Sequence, residues 1–373
     1  MTKTYHLTGT LRGTELSEAW VSDGVISHVA PEGVDPRAIE EISGFVYPGL
    51  LDAHTHPAVS RGPEPVPYAE TLERLRAHRA WGVTAIRDCG GRTNPNDAVA
   101  DAIESGDGDA QNLPKVLHCA RHIARFKRYI LHLPVDVEPD GFVAEVQRQA
   151  ARSDGWIKIV GDWIDRSLGD KADLAPLWPA EVMRDGVAAA HDMGVKVAVH
   201  TFAAETIRSL LDAGVDSIEH GTGMTFDEMV EARERGILLT PTVRQVARFP
   251  EFAADATKYP VYAQRMLEMD ARRAERVAQM VEAGSLFLMG SDTTPTDEVE
   301  DRGLPVELDK AVADGMPASV AMEAASYGGR SRLGLSTWEA GAAADFVVYS
   351  ADPELDIAQV RQPKAVLING QLC

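Results

Sequence analysis

Short apolar runs alternate with longer amphipathic stretches along most of the chain, and several stretches stop at a glycine just ahead of the next run. The runs span residues 45–54, 83–89, 115–120, 156–160, 195–200, 217–220, 237–242 and 286–292. Each is brief and apolar on both faces, the pattern of a parallel strand covered by helices. Gly82, Gly194, Gly214, Gly236 and Gly284 stand where a left-handed residue would close the preceding helix. Thr225 and Glu228 have the spacing of a capping box that opens the helix before Gly236. Eight strand-helix units predict a (β/α)8 TIM-like barrel over residues 49–335, somewhat larger than the ~250 residues typical of that fold. A doubly wound sheet is the rival, but no GxGxxG or P-loop supports a nucleotide crevice.

The two ends read differently. Residues 19–28 form a hairpin pattern around Asp23-Gly24, and residues 364–370 end in another turn signal. Neither end has enough residues for a core of its own. The expectation is one small composite β-sandwich built from residues 1–48 and 336–373.

Composition changes the picture mainly by exclusion. The formal net charge is −20, with 37 Lys plus Arg against 57 Asp plus Glu. Such a surface repels phosphate backbones and anionic lipid, so nucleic acid and membrane are not expected partners. No leader-like or membrane-length apolar run occurs, and the expected location is the cytoplasm. Three scattered cysteines suit neither a disulfide framework nor a Cys-based metal site.

The candidate chemistry lies at the strand ends. In Asp52-Ala-His54-Thr-His56-Pro57 the two histidines are two residues apart, so a strand presents both to one face and to one metal ion. Lys158, His200, His220 and Asp292 recur within or at the ends of later runs. Singly, each has a plain structural role: a core hydrogen bond for His200, a partner in Glu219 for His220, a helix cap for Asp292, an outward face for Lys158. In a barrel those ends converge on one mouth, and together they point to a metal centre. Lys158 is the odd member, because an ammonium cannot ligate a cation and lysine is rarely buried unpaired.

With these residues in view, the chain resembles the amidohydrolase superfamily, and within it the imidazolonepropionase-like and prolidase-like branch. The likeness runs through residues 47–57, 82–88, 213–221 and 341–349. It implies a distorted barrel flanked by a β-sandwich, and two divalent metals, Zn2+ with Mn2+ or Fe2+ as alternatives, bridged by a hydroxide and a carboxylated lysine. Carried over by position, His54, His56 and Asp292 hold one metal and His200 and His220 the other, while Lys158, as its CO2-derived carbamate, bridges both. Asp292 and Lys158 are then the catalytic residues, Asp292 taking the proton of the bridging water and passing it to the departing nitrogen. The implied reaction is hydrolysis of a carbon–nitrogen bond in a small amide, cyclic amide, N-acyl amino acid or dipeptide.

Three other readings compete with this one. The superfamily's mononuclear deaminases usually carry a glutamate three residues after the fifth-strand histidine, where this chain has Ala203, and the next acid is Glu205. A non-catalytic structural barrel is disfavoured because every candidate ligand is present. A serine hydrolase lacks its GxSxG elbow, and Cys89 reads as a packing residue.

Substrate contacts are expected from the loop after the third run, where Arg121, His122, Arg125, Lys127 and Arg128 precede Tyr129. Arg121, Arg125 or Arg128 could grip a substrate carboxylate through a guanidinium fork, or these side chains could be a solvated face paired with surface acids. Here the chain departs from the prolidase-like pattern, which commonly carries Gly-Gly-His. Arg244, Gln245, Arg61, Asp162 and Trp163 are further candidates for the mouth. The expected partner is a small-molecule substrate, carboxylate-bearing on the first of these two readings, with association into a homo-oligomer left open.

Overall fold

The computed structural model describes residues 3–60, 62–294 and 303–373, so Arg61 lies outside the described residues. Parallel strands form a TIM-like α/β barrel. They are Leu50–Thr55, Val83–Asp88, Lys115–His118, Trp156–Val160, Lys196–Thr201, Ser217–His220, Leu238–Thr240 and Leu286–Phe287, numbered first to eighth below. The first three pair in one sheet, and the fourth to eighth pair in sequence order in another. Backbone bonds connect the two arcs: Ala53 N–H donates to Met289 O at 2.8 Å, Asp292 N–H to His54 O at 2.7 Å, and Asp154 N–H to His118 O at 2.8 Å. The strand residues are buried almost throughout because helices cover the outer face, as the apolar runs predict.

Local signals agree with the elements they predict. Gly214 closes the helix Ala204–Ala213 in the left-handed conformation at φ 74°, and the Thr225–Glu228 capping box opens Phe226–Glu234 with both reciprocal bonds. Two runs are divided differently from expectation. Residues 45–54 are two strands: Ile39–Pro48 belongs to the sheet of the chain ends and Leu50–Thr55 to the barrel. Pro48 has no N–H for a ladder, and a Cβ on Gly49 would lie 2.1 Å from Thr84 Oγ1, so the chain turns where no side chain fits. Gly49→Ala is therefore expected to cost about 1–3 kcal/mol, read as a lower urea midpoint with an unchanged slope. In the run 286–292 only Leu286–Phe287 forms a ladder; the remainder is held to the first and seventh strands through single backbone bonds.

The loop after the third strand contains order that the sequence did not suggest. Ile123–Arg125 and Val135–Val137 pair in parallel, and Ile123 registers with Ile159 of the fourth strand. The two chain ends meet in one seven-stranded sheet, in the order Gln371–Leu372, Ala365–Ile368, Phe346–Tyr349, Ile39–Pro48, Thr4–Leu11, Ala19–Ser22, Val25–Ser27. The Asp23-Gly24 and Asn369-Gly370 turns form the two hairpins, with all four residues at positive φ. Among the described residues no helix is long and apolar enough to cross a membrane.

Candidate metal and active site

His54, His56, Lys158, His200, His220 and Asp292 line one cavity at the carboxyl ends of the barrel strands. Three of the four imidazoles are held by one ring nitrogen, leaving the other for the cluster. His54 Nδ1 lies 2.6 Å from Glu219 Oε2, His56 Nδ1 3.2 Å from Gly90 O, and His220 Nδ1 2.6 Å from Thr242 Oγ1. The free nitrogens converge: His54 Nε2 and His56 Nε2 stand 3.5 and 3.4 Å from Asp292 Oδ1, and His220 Nε2 is 2.8 Å from His200 Nδ1. Partners that fix one nitrogen and aim the other are what a metal-ligating histidine requires. Ligand atoms of His54, His220 and Asp292 lie within 4.8 Å of one another.

Strand alternation alone would turn Glu219 and His220 to opposite faces. His220 has φ 70°, Asp292 φ 47° and Thr242 φ 44°, a strained left-handed conformation for side chains of this kind. The turn at His220 lets consecutive residues act on the same ring, with Glu219 bonded to His54 and the His220 ring 5.2 Å from it. Glu219 also accepts from Arg87 Nη2 at 2.7 Å, and both side chains are fully buried. Burial would raise the Glu219 carboxyl, but Arg87 holds it well below the usual carboxylate range. Neither member of this pair was singled out as functional from the sequence. The available signal was Arg87 itself, a cation inside a strand with both faces buried, which demands an acid partner.

Asp292 is placed by a chain of contacts. Ser291 donates to Asp52 from its N–H at 2.9 Å and its hydroxyl at 2.6 Å, and Arg244 Nη1 donates to Ser291 O at 3.2 Å. Burial raises the Asp292 carboxyl, yet the neighbouring His54, His56 and His220 rings hold it far below its ordinary value.

Two observations bear on what the cluster could hold. Lys158 is 4% exposed, and its Nζ lies 3.5 Å from His54 Nε2 with no carboxylate at ion-pair distance among the described residues. His200 Nε2 is buried without a hydrogen-bond partner. A buried ammonium and an idle imidazole nitrogen are costly unless something absent from the chain engages them. The donor set fits divalent cations.

Of the six substrate-contact candidates, the structure brings His122 and Tyr129 to the cavity wall and leaves the four arginines off it. Arg121 donates to Leu133 O and His132 O at 3.0 and 2.9 Å, Arg125 reaches Glu138 at 3.4 Å, and Arg128 reaches Asp165 at 3.4 Å. Arg244 is fully buried behind Asp292. Gln245 and Trp163 line the cavity. Asp162 instead accepts from the Phe202 and Ala203 N–H groups at 3.0 and 3.1 Å. Glu205 pairs with Arg265 on the surface at 2.6 Å and does not line the cavity.

The chain matches the amidohydrolase family over residues 45–373. It is 35% identical over 355 residues to an uncharacterized protein of Mycobacterium tuberculosis, covering 95% of this chain and 91% of that one. A crystal structure of a Xaa-Pro dipeptidase with bound methionine superposes with a TM-score of 0.78 at 22% identity, covering 99% of each chain. A prolidase complexed with N-methylphosphonate-L-proline gives 0.78 at 19% identity and 99% coverage of both. The protein belongs to the amidohydrolase family. It is a hydrolase acting on carbon–nitrogen bonds.

Proposed function

We infer that this enzyme cleaves a small amide, cyclic amide, N-acyl amino acid or dipeptide at a binuclear centre. The observation that carries the reading is the convergence of His54, His56, Lys158, His200, His220 and Asp292 on one cavity. His54, His56 and Asp292 would hold one divalent ion and His200 and His220 the other, with Lys158 between them as its carbamate. Imidazole nitrogen and carboxylate oxygen suit Zn2+, and also Mn2+ or Fe2+. Carboxylation of Lys158 Nζ by CO2, with release of two protons, would turn a side chain that has no carboxylate at ion-pair distance among the described residues into an anion. When bound, such ions acidify water and polarise a scissile carbonyl.

The chain's own groups do the rest. Asp292 accepts the proton of the attacking water at a carboxylate oxygen and returns it to the departing nitrogen. Glu219 orients His54, and Thr242 orients His220. We read residues 49–335 as a closed barrel and residues 1–48 with 336–373 as a composite β-sandwich domain. Support comes from a core cluster confined to the end segments, including Tyr5, Leu7, Val46, Phe346 and Leu367.

Elemental analysis of protein purified with and without bicarbonate tests the centre. About two metal equivalents per chain are expected, rising with bicarbonate. Lys158→Ala should lose occupancy and turnover while staying folded. No bound metal after reconstitution would remove the binuclear reading.

A further inference from the structure

The cavity has more wall than its ligand candidates require. Beyond them it is lined by Val59, Tyr129, Leu133, Trp163, Gln245 and Phe252, among others. Among the described residues no arginine and no lysine other than Lys158 lines it. Tyr129 and Trp163 stand edge to face with ring centroids 4.5 Å apart, and the two rings lie 5.9 and 5.5 Å from the His200 ring. Four polar atoms in this wall are buried without a hydrogen-bond partner: the donor Trp163 Nε1, the acceptor Gln245 Oε1 and both ring nitrogens of His122.

Among the described residues the three arginines of the loop after the third strand each have partners away from the cavity. Arg121 ties down the backbone of its own loop, Arg125 meets Glu138, and Arg128 meets Asp165. Arg128 retains Nε and Nη2 without partners, yet it does not line the cavity. A carboxylate drawn against these rings would lose its water with no guanidinium to receive it. A neutral apolar or aromatic group would shed water against the same rings at a gain, and a neutral amide could satisfy the idle donor and acceptor.

We propose that this site selects an uncharged substrate, an amide, anilide or carbamate whose flanking group is apolar or aromatic, with Trp163, Tyr129 and Gln245 as specificity determinants. The proposal rests on the hydrolase reading above and narrows it, leaving free dipeptides and N-acyl amino acids outside. Hydrolysis adds water across the carbon–nitrogen bond, hydroxyl to the carbonyl carbon and hydrogen to the departing nitrogen.

The test uses the metal-reconstituted full chain and two matched ligands, 4-methylacetanilide and 4-acetamidobenzoate, which differ as methyl against carboxylate. Binding is measured by calorimetry and turnover by release of the aniline. The neutral ligand should bind about tenfold or more tightly than its charged twin, and the ratio should fall towards one in Trp163→Ala. Trp163→Phe should give an intermediate ratio, and it serves if the alanine variant does not fold. Equal or tighter binding of the carboxylate, binding of neither ligand, or an unchanged ratio in a folded Trp163 variant would overturn the proposal. A preserved ratio with no turnover of either ligand supports the neutral pocket and counts against the hydrolase reading alone.

Discussion

Asp292→Asn is expected to yield a folded chain that turns over substrate about 10²–10⁴ times more slowly than the parent. Asparagine keeps the size of the side chain and the backbone bond from residue 292 N–H to His54 O, 2.7 Å long in the native chain. What disappears is the anion facing His54 Nε2 and His56 Nε2 at 3.5 and 3.4 Å, and with it the oxygen that can carry a proton. The loss should fall on kcat, because the wall that binds the rest of the substrate is untouched. Thermal unfolding of the metal-free protein should shift little, whereas bound metal should fall. Retention of kcat would take Asp292 out of the proton path.

Arg87→Met is expected to destabilise the fold by about 3–5 kcal/mol, more than any surface substitution, because it leaves Glu219 buried without its cation. The native pair is 2.7 Å apart with both side chains fully buried, and Arg87 Nε also donates to Ala53 O at 2.7 Å. In the native chain the folded Glu219 carboxyl lies below its ordinary value of 4.5, so its contribution is present above that pH and is lost as pH falls. In the variant the sign reverses. A buried carboxyl without Arg87 is raised, so the deficit widens as pH rises above the ordinary carboxylate range. The double variant Arg87→Met/Glu219→Gln should lose less than the single one, and urea titrations at two pH values complete the cycle. A single-variant loss below about 1 kcal/mol would mean that the pair does not carry this part of the barrel.

Much of this molecule is legible in its residues. The apolar runs mark the barrel strands, the glycines and the capping box mark helix ends, and the ligand candidates sit where strand ends must meet. These features are local, since each depends on spacing within a few residues. The mouth loop was legible only as an open choice between substrate cations and surface pairing. Pairing is what Arg125 and Arg128 show, with acids 13 and 37 positions away in the chain.

The chain by itself determined the strand-helix alternation, the residue types at the strand ends and the hairpins of its two termini, because backbone preference and apolar periodicity act over short distances. Only the tertiary structure decided that Glu219 and His220 both stand beside His54, that Arg87 crosses the barrel interior to Glu219, and that, among the described residues, aromatic rings rather than arginines face the cavity. Those outcomes depend on backbone turned to positive φ at strand ends and on which distant side chains remain to neutralise a buried charge. Both are settled by the packing of the whole barrel.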